Sequence, residues 1–453
     1  MKMRYKLSKY LIIAEVDENQ YIFFSTRTSN KFLIYKNTYD DLLEGNFQKL
    51  ENELYSSLIE SCILIPEIED ELKTIIDENN FHTENEKTLY QVIMPSKNCQ
   101  LGCNYCGQDH VKGQMDEQYH NKFLDRVNFK IDERKYDMLS ISWFGGEPLM
   151  GLTTLKKLST KLQKIASDKR LNYKAKMVTN GLVLKKNIFL DLVNNHKIKR
   201  FEITLDGTEE YHDKRRHLKS GEKSFDIIFN NLKDILNIEN FKSLGVNISI
   251  RCNVDKSNYA SVKPLLRLIK ENNLHDKISH FYVAPIHSWG NDAHLQSLEK
   301  EIFSEKEISW MLEQHKLGFN PSILPVRSYS VCMATSLSSE LIDANGDIYN
   351  CTEVSYVPSY KKDNEYLLGK IQEIEYNTVF NNRPFSNWND LILQNKSNSP
   401  CSKCPVLPMC GGMCPKSWKE GNIACPPIKY NIKDKLILDF LINQHNIDVS
   451  TLQ

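Results

Sequence analysis

The stretch Leu89-Tyr90-Gln91-Val92-Ile93-Met94-Pro95-Ser96-Lys97-Asn98-Cys99-Gln100-Leu101-Gly102-Cys103-Asn104-Tyr105-Cys106 decides the fold. Residues 89–94 are apolar enough for a buried strand. Three cysteines follow in the next loop, spaced Cys99-x3-Cys103-x2-Cys106. Thiolates at this spacing can hold three corners of an iron–sulfur cubane and leave the fourth iron open to a small molecule. The other reading is a zinc loop short of one ligand.

Working outward, the same rhythm repeats. Apolar strand patterns recur at 139–144, 174–178, 200–205, 246–252 and 280–283, separated by helical patterns such as 155–166 and 224–236. Strand–helix alternation of this kind predicts parallel βα units. Six units predict an α/β partial (β/α)6 TIM barrel rather than a closed eight-fold one. Sites in parallel β/α folds form at the carboxyl ends of the strands. The second strand ends in Trp143-Phe144-Gly145-Gly146-Glu147-Pro148, whose glycines let a ligand approach the backbone. Thr179-Asn180-Gly181 ends the third strand, Asp206-Gly207 the fourth, and Arg251 lies on the fifth. A carboxylate such as Asp206 suits ribose hydroxyls, and Arg251 suits a carboxylate. Each of these also reads as an ordinary turn or packing residue.

Residues 1–85 precede the barrel pattern. Strand patterns at 10–16, 21–25 and 32–35 lead into helical spacing at 39–43, 47–62 and 69–77, and the polar run 77–86 reads as a linker. Past residue 318 the alternation stops. Residues 319–428 hold seven cysteines, many prolines and little periodicity, so metal rather than a large core is expected to organise them. A helix is expected at 430–443. The resulting domains are 1–85, 86–318 and 319–453.

Bulk properties narrow the class. A chain of 453 residues is too long for one ordinary core. Lys plus Arg and Asp plus Glu both number 58, so the net charge is zero and nucleic acid is not the expected partner. No apolar run is long enough to span a bilayer, and the apolar residues 11–14 are too few for a signal segment. The expected location is therefore the cytoplasm. There, twelve cysteines, ten of them in spaced sets, point to metal or redox chemistry rather than disulfides.

These motifs resemble the radical SAM superfamily, whose signature is this cysteine spacing with an aromatic residue, here Tyr105, before the third cysteine. The resemblance implies a [4Fe–4S] cluster on Cys99, Cys103 and Cys106 that binds S-adenosyl-L-methionine (SAM). It implies SAM contacts from Gly145, Gly146 and Glu147, with Tyr105, Asn180, Asp206 and Arg251 as further cofactor-binding candidates. The run Cys332-x13-Gly346-x4-Cys351, Cys401-x2-Cys404-x5-Cys410-x3-Cys414 and Cys425 is similar to the SPASM pattern found after radical SAM barrels in peptide maturases. That likeness places one auxiliary cluster on Cys401, Cys404, Cys410 and Cys425, and another on Cys332, Cys351 and Cys414. Three [4Fe–4S] clusters are thus expected, with an electron donor such as flavodoxin or ferredoxin. Taken alone, the C-x2-C turns would also suit zinc, and a non-catalytic, zinc-bound peptide-binding module is the reading from another class.

Residues 1–85 resemble a winged-helix, PqqD-like element that docks peptide leaders; the alternative is a structural cap. The whole therefore resembles a ribosomal-peptide maturase whose radical abstracts hydrogen from a precursor peptide and installs a thioether, carbon–carbon or ether crosslink. An anaerobic sulfatase-type maturase or a peptide epimerase is the alternative. Sulfatase maturases carry an Asp directly after the second SPASM cysteine, where this chain has Thr352. They also supply a further cysteine shortly before the first SPASM position, and residues 325–331 contain none.

Overall fold

The computed structural model describes residues 4–361 and 365–444. The N-terminal part begins with β1 (Tyr5–Leu7), followed by an antiparallel meander of β2 (Leu11–Asp17), β3 (Gln20–Ser25) and β4 (Lys31–Tyr35). Short β5 (Leu64–Pro66) pairs antiparallel with β1. Side chains alternate between the faces of a strand, and both faces of this meander are covered. Tyr21 and Phe23 pack with Leu42, Leu58 and Ile63 of the helical part. Ile12, Ala14, Ile22 and Phe24 pack instead against Ile432, Leu436 and Phe440 of the C-terminal helix Ile428–Gln444.

Two expectations for this part need correction. The single helix expected at 47–62 is a short 3₁₀ turn, Phe47–Lys49, followed by the helix Asn52–Glu60. The polar run expected as a linker from 77 is helical through Glu84. Packing overrides composition there. Ile75 and Ile76 are buried against Trp388 and Ile392, and Asn79 accepts a hydrogen bond from Arg327 Nη2 at 2.7 Å.

Next come six parallel strands in sequential order: β6 (Thr88–Ile93), β7 (Met138–Trp143), β8 (Asn172–Thr179), β9 (Ile198–Thr204), β10 (Asn247–Val254) and β11 (His280–Pro285). Their outward residues, such as Leu139, Ile141, Trp143 and Phe201, share one apolar core with helices including Leu152–Asp168 and Phe225–Leu236. The barrel does not close.

The sheet continues where regular structure was not expected. β12 (Glu340–Ile342) adds in parallel to β6, and β13 (Asp347–Tyr349) and β14 (Leu367–Lys370) extend it antiparallel. Strands of three or four residues leave no readable period. Leu341, Ile342 and Ile348 are buried in apolar clusters, and an ionic clamp adds to this: buried Glu340 meets Arg126 at 2.7 Å, Lys130 at 2.7 Å and Arg383 at 3.4 Å. The nine strands run from β11 at one edge to β14 at the other. Among the described residues no helix is long and apolar enough to cross a membrane.

Candidate active site

A cavity of about 530 Å³ lies at the carboxyl ends of β6–β11. Cys99, Cys103 and Cys106 line it, in the loop that leaves β6. The turn following the helix Glu209–Arg215 stitches that loop in place. Gly102 N–H donates to His217 O at 2.9 Å, Asn104 N–H to Arg215 O at 3.0 Å, and Lys219 N–H to Gln100 O at 2.9 Å. Past the third cysteine, a Cβ on Gly107 would fall 1.8 Å from Trp289 O, so only glycine passes there without displacing the backbone.

Gly145 and Gly146, at the end of the neighbouring strand β7, line the adjoining wall. A Cβ on Gly146 would meet Asn98 O at 2.8 Å and His110 Nδ1 at 2.9 Å. Glu147, by contrast, is wholly buried and does not line the cavity. Its carboxylate accepts from Thr179 Oγ1 (2.8 Å), Asn180 N (2.7 Å) and Leu149 N (3.0 Å), tying the end of β7 to the end of β8. Burial raises its pKa against those three donors.

Asp206 behaves in the same way. It is wholly buried, accepts from Tyr105 Oη at 2.6 Å and from Asn253 N at 2.9 Å, and does not line the cavity. Tyr105 does line it, its hydroxyl held also by Arg216 Nη1 (2.6 Å) and Asn253 Nδ2 (3.1 Å). Asn180 and Arg251 face the cavity as well. Asn180 Nδ2 donates to Gln100 Oε1 at 3.3 Å; Arg251 donates to Asn253 Oδ1 at 2.7 Å and approaches Glu202 at 3.8 Å. Glu147 and Asp206 are thus braces for the wall rather than parts of its surface.

The cysteine-rich segment reaches the same cavity through Cys332, Met333, Thr352 and Glu353. Gln108 Nε2 donates to Ser355 O (3.0 Å), Asp109 N to Tyr356 O (2.8 Å), and Trp289 Nε1 to Glu353 O (2.9 Å), which draws residues 351–356 against the loop of the first three cysteines. Burial holds the Cys351 thiol well up, and the charges of Glu353, Cys332 and Cys414 add to that effect. Cys401, Cys404, Cys410 and Cys425 line a separate small void under Trp418.

The site also holds residues that sequence reasoning missed. Arg216 sits in a basic run with no motif of its own, and Glu353 pairs with His287 at 3.3 Å. His110 Nε2 lies 3.3 Å from Cys106 Sγ, while its Nδ1 is buried without a partner. Burial, then Lys219, lowers its pKa to about 4, so the ring is neutral.

The donor set fits an iron–sulfur cluster. Among the described residues, no three His, Cys, Asp or Glu side chains converge as ligands of a single ion would. A cubane separates its thiolates more widely, because each binds a different iron. Burial raises Cys99 to about 12 and Cys106 to about 11, and a bound cluster would supply the positive charge that favours their thiolates. The buried, unpartnered Gln100 Nε2 and Arg216 Nε add free donors at this wall.

The family model of the radical SAM superfamily matches residues 93–269. The chain contains a radical SAM domain. It is 22% identical over 378 residues to a serine-type anaerobic sulfatase-maturating enzyme of Bacteroides thetaiotaomicron, covering 73% of this chain and 83% of that one. It is 23% identical over 437 residues to the radical SAM cyclopropyl synthase TigE of Paramaledivibacter caminithermalis, covering 88% and 85%. Among solved structures, native anSMEcpe with bound AdoMet superimposes with a TM-score of 0.56 at 19% identity, over 80% of this chain and all of that one. Streptococcus suis SuiB bound to its precursor peptide SuiA gives 0.50 at 16%, over 93% and 98%. The fold is the radical SAM fold, the protein is an enzyme, and the family's cofactors are a [4Fe–4S] cluster and SAM.

Proposed function

We propose that this protein is a ribosomal-peptide maturase that crosslinks its substrate, with three [4Fe–4S] clusters and the division 1–85, 86–318 and 319–453. The observation that carries the reading is that Cys99, Cys103 and Cys106 share one cavity with Cys332, the first cysteine of the C-terminal set. When bound, the first cluster and SAM supply a one-electron reduction that yields a 5′-deoxyadenosyl radical. Gly145 and Gly146 offer backbone to the methionyl group. Tyr105 is held by Asp206 and Arg216, and Asn180 by Gln100, so each presents a set orientation to the cofactor. Cys332, Cys351 and Cys414 have no fourth cysteine in 325–331, which leaves one iron of that cluster for a non-cysteine ligand. Crosslinking would release an electron; Cys332, on the cavity wall, would with Cys351 and Cys414 hold a cluster suited to accept it, and the external donor would be a flavodoxin or ferredoxin.

The peptide is the substrate by analogy of architecture. Two of the similar structures hold peptides: anSMEcpe with the Cp18Cys peptide and SuiB with its precursor peptide SuiA. Residues 1–85 supply an unpaired edge, β4, to which an extended leader can add as a strand. A sulfatase-type oxidation is the second reading, favoured by Glu353, a carboxylate in the cavity one residue beyond Thr352.

The test is anaerobic reconstitution followed by reduction. We expect roughly twelve irons per chain by cluster stoichiometry. The triple replacement Cys99→Ala, Cys103→Ala, Cys106→Ala should lose about a third of that iron and all reductive SAM cleavage. Cleavage that survives in the triple variant would overturn the assignment. Mass spectrometry of a co-expressed neighbouring precursor separates the readings: a loss of two hydrogens with a new linkage supports crosslinking, and a formylglycine supports the second.

A further inference from the structure

The lumen of a closed β/α barrel is normally filled by interdigitating apolar side chains. This lumen is not. The alternation that puts Val178, Asn180, Glu202 and Thr204 on the cavity wall also turns Lys174, Lys176 and Arg200 inward. Lys176 lines the cavity itself. In the sheet register it stands directly opposite Arg200, so two cations face each other across neighbouring strands. Like charges so placed destabilise a sheet. All three side chains are exposed, Lys176 on the cavity wall, and among the described residues no carboxylate forms an ion pair with any of them. The inward carboxylate nearby, Glu202, is engaged by Arg251 at 3.8 Å and by Tyr282. Lys176 Nζ lies over the Tyr90 ring, 5.3 Å from its centroid.

We propose that Lys176 and Arg200, with Lys174 beneath, bind a carboxylate side chain of the substrate peptide, so that the enzyme selects a segment bearing Asp or Glu beside the reacting residue. The assignment rests on the peptide reading above and adds a substrate class to it. The geometry suits the role. Lys176 precedes Asn180 by four residues, about 13 Å along the strand at the usual rise, so the patch lies deeper in the lumen than the wall assigned to SAM. Arg offers a planar fork to a carboxylate and Lys a mobile point charge, and together they can hold an Asp or Glu that enters at more than one angle. An anion there also removes the cross-strand repulsion, which would couple substrate binding to a stiffer β8–β9 pair.

The test uses the full chain with reconstituted clusters and SAM. Two fluorescein-labelled hexapeptides serve as probes, one alternating Glu with Gly and the other Gln with Gly. Wild type should bind the Glu peptide at least about tenfold more tightly, a factor of 1.4 kcal/mol. In Lys176→Met/Arg200→Met that ratio should fall to within about twofold, and Lys176→Glu/Arg200→Glu should reverse it. Thermal unfolding of the Met variant should match or exceed wild type, which separates lost recognition from lost folding. Equal binding of the two peptides by wild type would overturn the proposal, as would an undiminished ratio in the Met variant. So would a loss of SAM affinity as large as the loss of peptide affinity, because the cations would then serve the cofactor. Reductive SAM cleavage by wild type without peptide is measured alongside. If SAM is cleaved and the peptides are not distinguished, the lumen assignment alone has failed.

Discussion

The barrel strands and the cysteine-rich segment 319–428 both deliver thiols to one cavity, yet they are held by different physics. In the barrel, residues such as Leu139, Ile141, Ile248 and Ile250 are fully buried in a continuous apolar core, and the loops ride on it. The cysteine-rich segment has strands of three or four residues and repeated left-handed backbone, at Tyr356, Phe385, Asn395, Asn398 and Met413 among others. Its apolar clusters are small, one around Leu341, Tyr349 and Tyr366 and one around Trp388, Leu407 and Trp418, and polar fastenings supplement them: Asn350 Nδ2 donates to Ala334 O and Pro384 O, and Glu340 is clamped by three cations. A region with its own core can position a site before metal arrives. A region with only small apolar clusters is expected to depend more heavily on metal for its final structure.

The sharpest way to break that contrast is to remove the iron. Chelated, reduced protein should lose amide protection across 319–428 by about a hundredfold or more, while β7 and β10 keep theirs. Hydrogen exchange with peptide-level mass spectrometry reads both regions in one sample. Equal loss in the barrel strands would show that the two regions share one dependence, and the contrast would fall.

The same contrast explains what could be read in advance. The six parallel strands were legible because each is an apolar run long enough to show, and the first five carry a motif residue on the strand or in the loop after it. Strands β12–β14 were not legible, since three residues carry no period and Glu340 looks like any surface acid until Arg126, Lys130 and Arg383 surround it. The helix through Glu84 was hidden for the same reason: its polar sequence is stabilised by Arg327 and Trp388, which arrive from far along the chain. At the site, spacing singled out the cysteines and glycines. It could not separate Asn180, which lines the cavity, from Glu147 and Asp206, which lie behind the wall. Motif position marks a loop, and only burial shows which side of it a side chain takes. Lys174 and Lys176, alternating with Ala175 and Met177, carried an inward basic pattern that no family motif flagged.

A second prediction tests the ionic fastening. Glu340→Gln leaves Arg126, Lys130 and Arg383 buried without their anion, and should cost about 3–5 kcal/mol of stability. Those three cations hold Glu340 down to about 2 despite its burial. Its contribution is therefore complete above the ordinary carboxylate pKa and is lost as pH falls toward 2. Chemical denaturation at pH 7 and pH 4 checks both magnitude and sign. A cost below about 1 kcal/mol would mean that metal, apolar and backbone contacts alone seat the segment on β6.

The smallest expected effect concerns the turn between β12 and β13. Asp343 is buried there, accepting from Asn345 N (2.8 Å), Asp347 N (3.1 Å) and Ser355 Oγ (2.8 Å). Burial, and then the charge of Asp347, push its carboxyl up to about 7 against those donors. A carboxyl that binds its proton more tightly when folded stabilises the fold below the unfolded value near 4. That stability is withdrawn as pH rises from about 4 to about 7. Linkage over that interval bounds the loss at about 4 kcal/mol. Asp343→Asn removes the titration and keeps one acceptor oxygen, so most but not all of the turn's bonds survive. The variant should then be more stable than wild type at pH 8 by on the order of 1 kcal/mol. Below pH 5, where wild-type Asp343 is neutral and can itself donate, the variant should hold no advantage. Melting temperatures at pH 5, 6.5 and 8 give the slope directly. An identical slope in both proteins would show that Asp343 stays ionised in the turn, satisfied by its three donors, and that this corner of the cysteine-rich region carries no strain from buried charge.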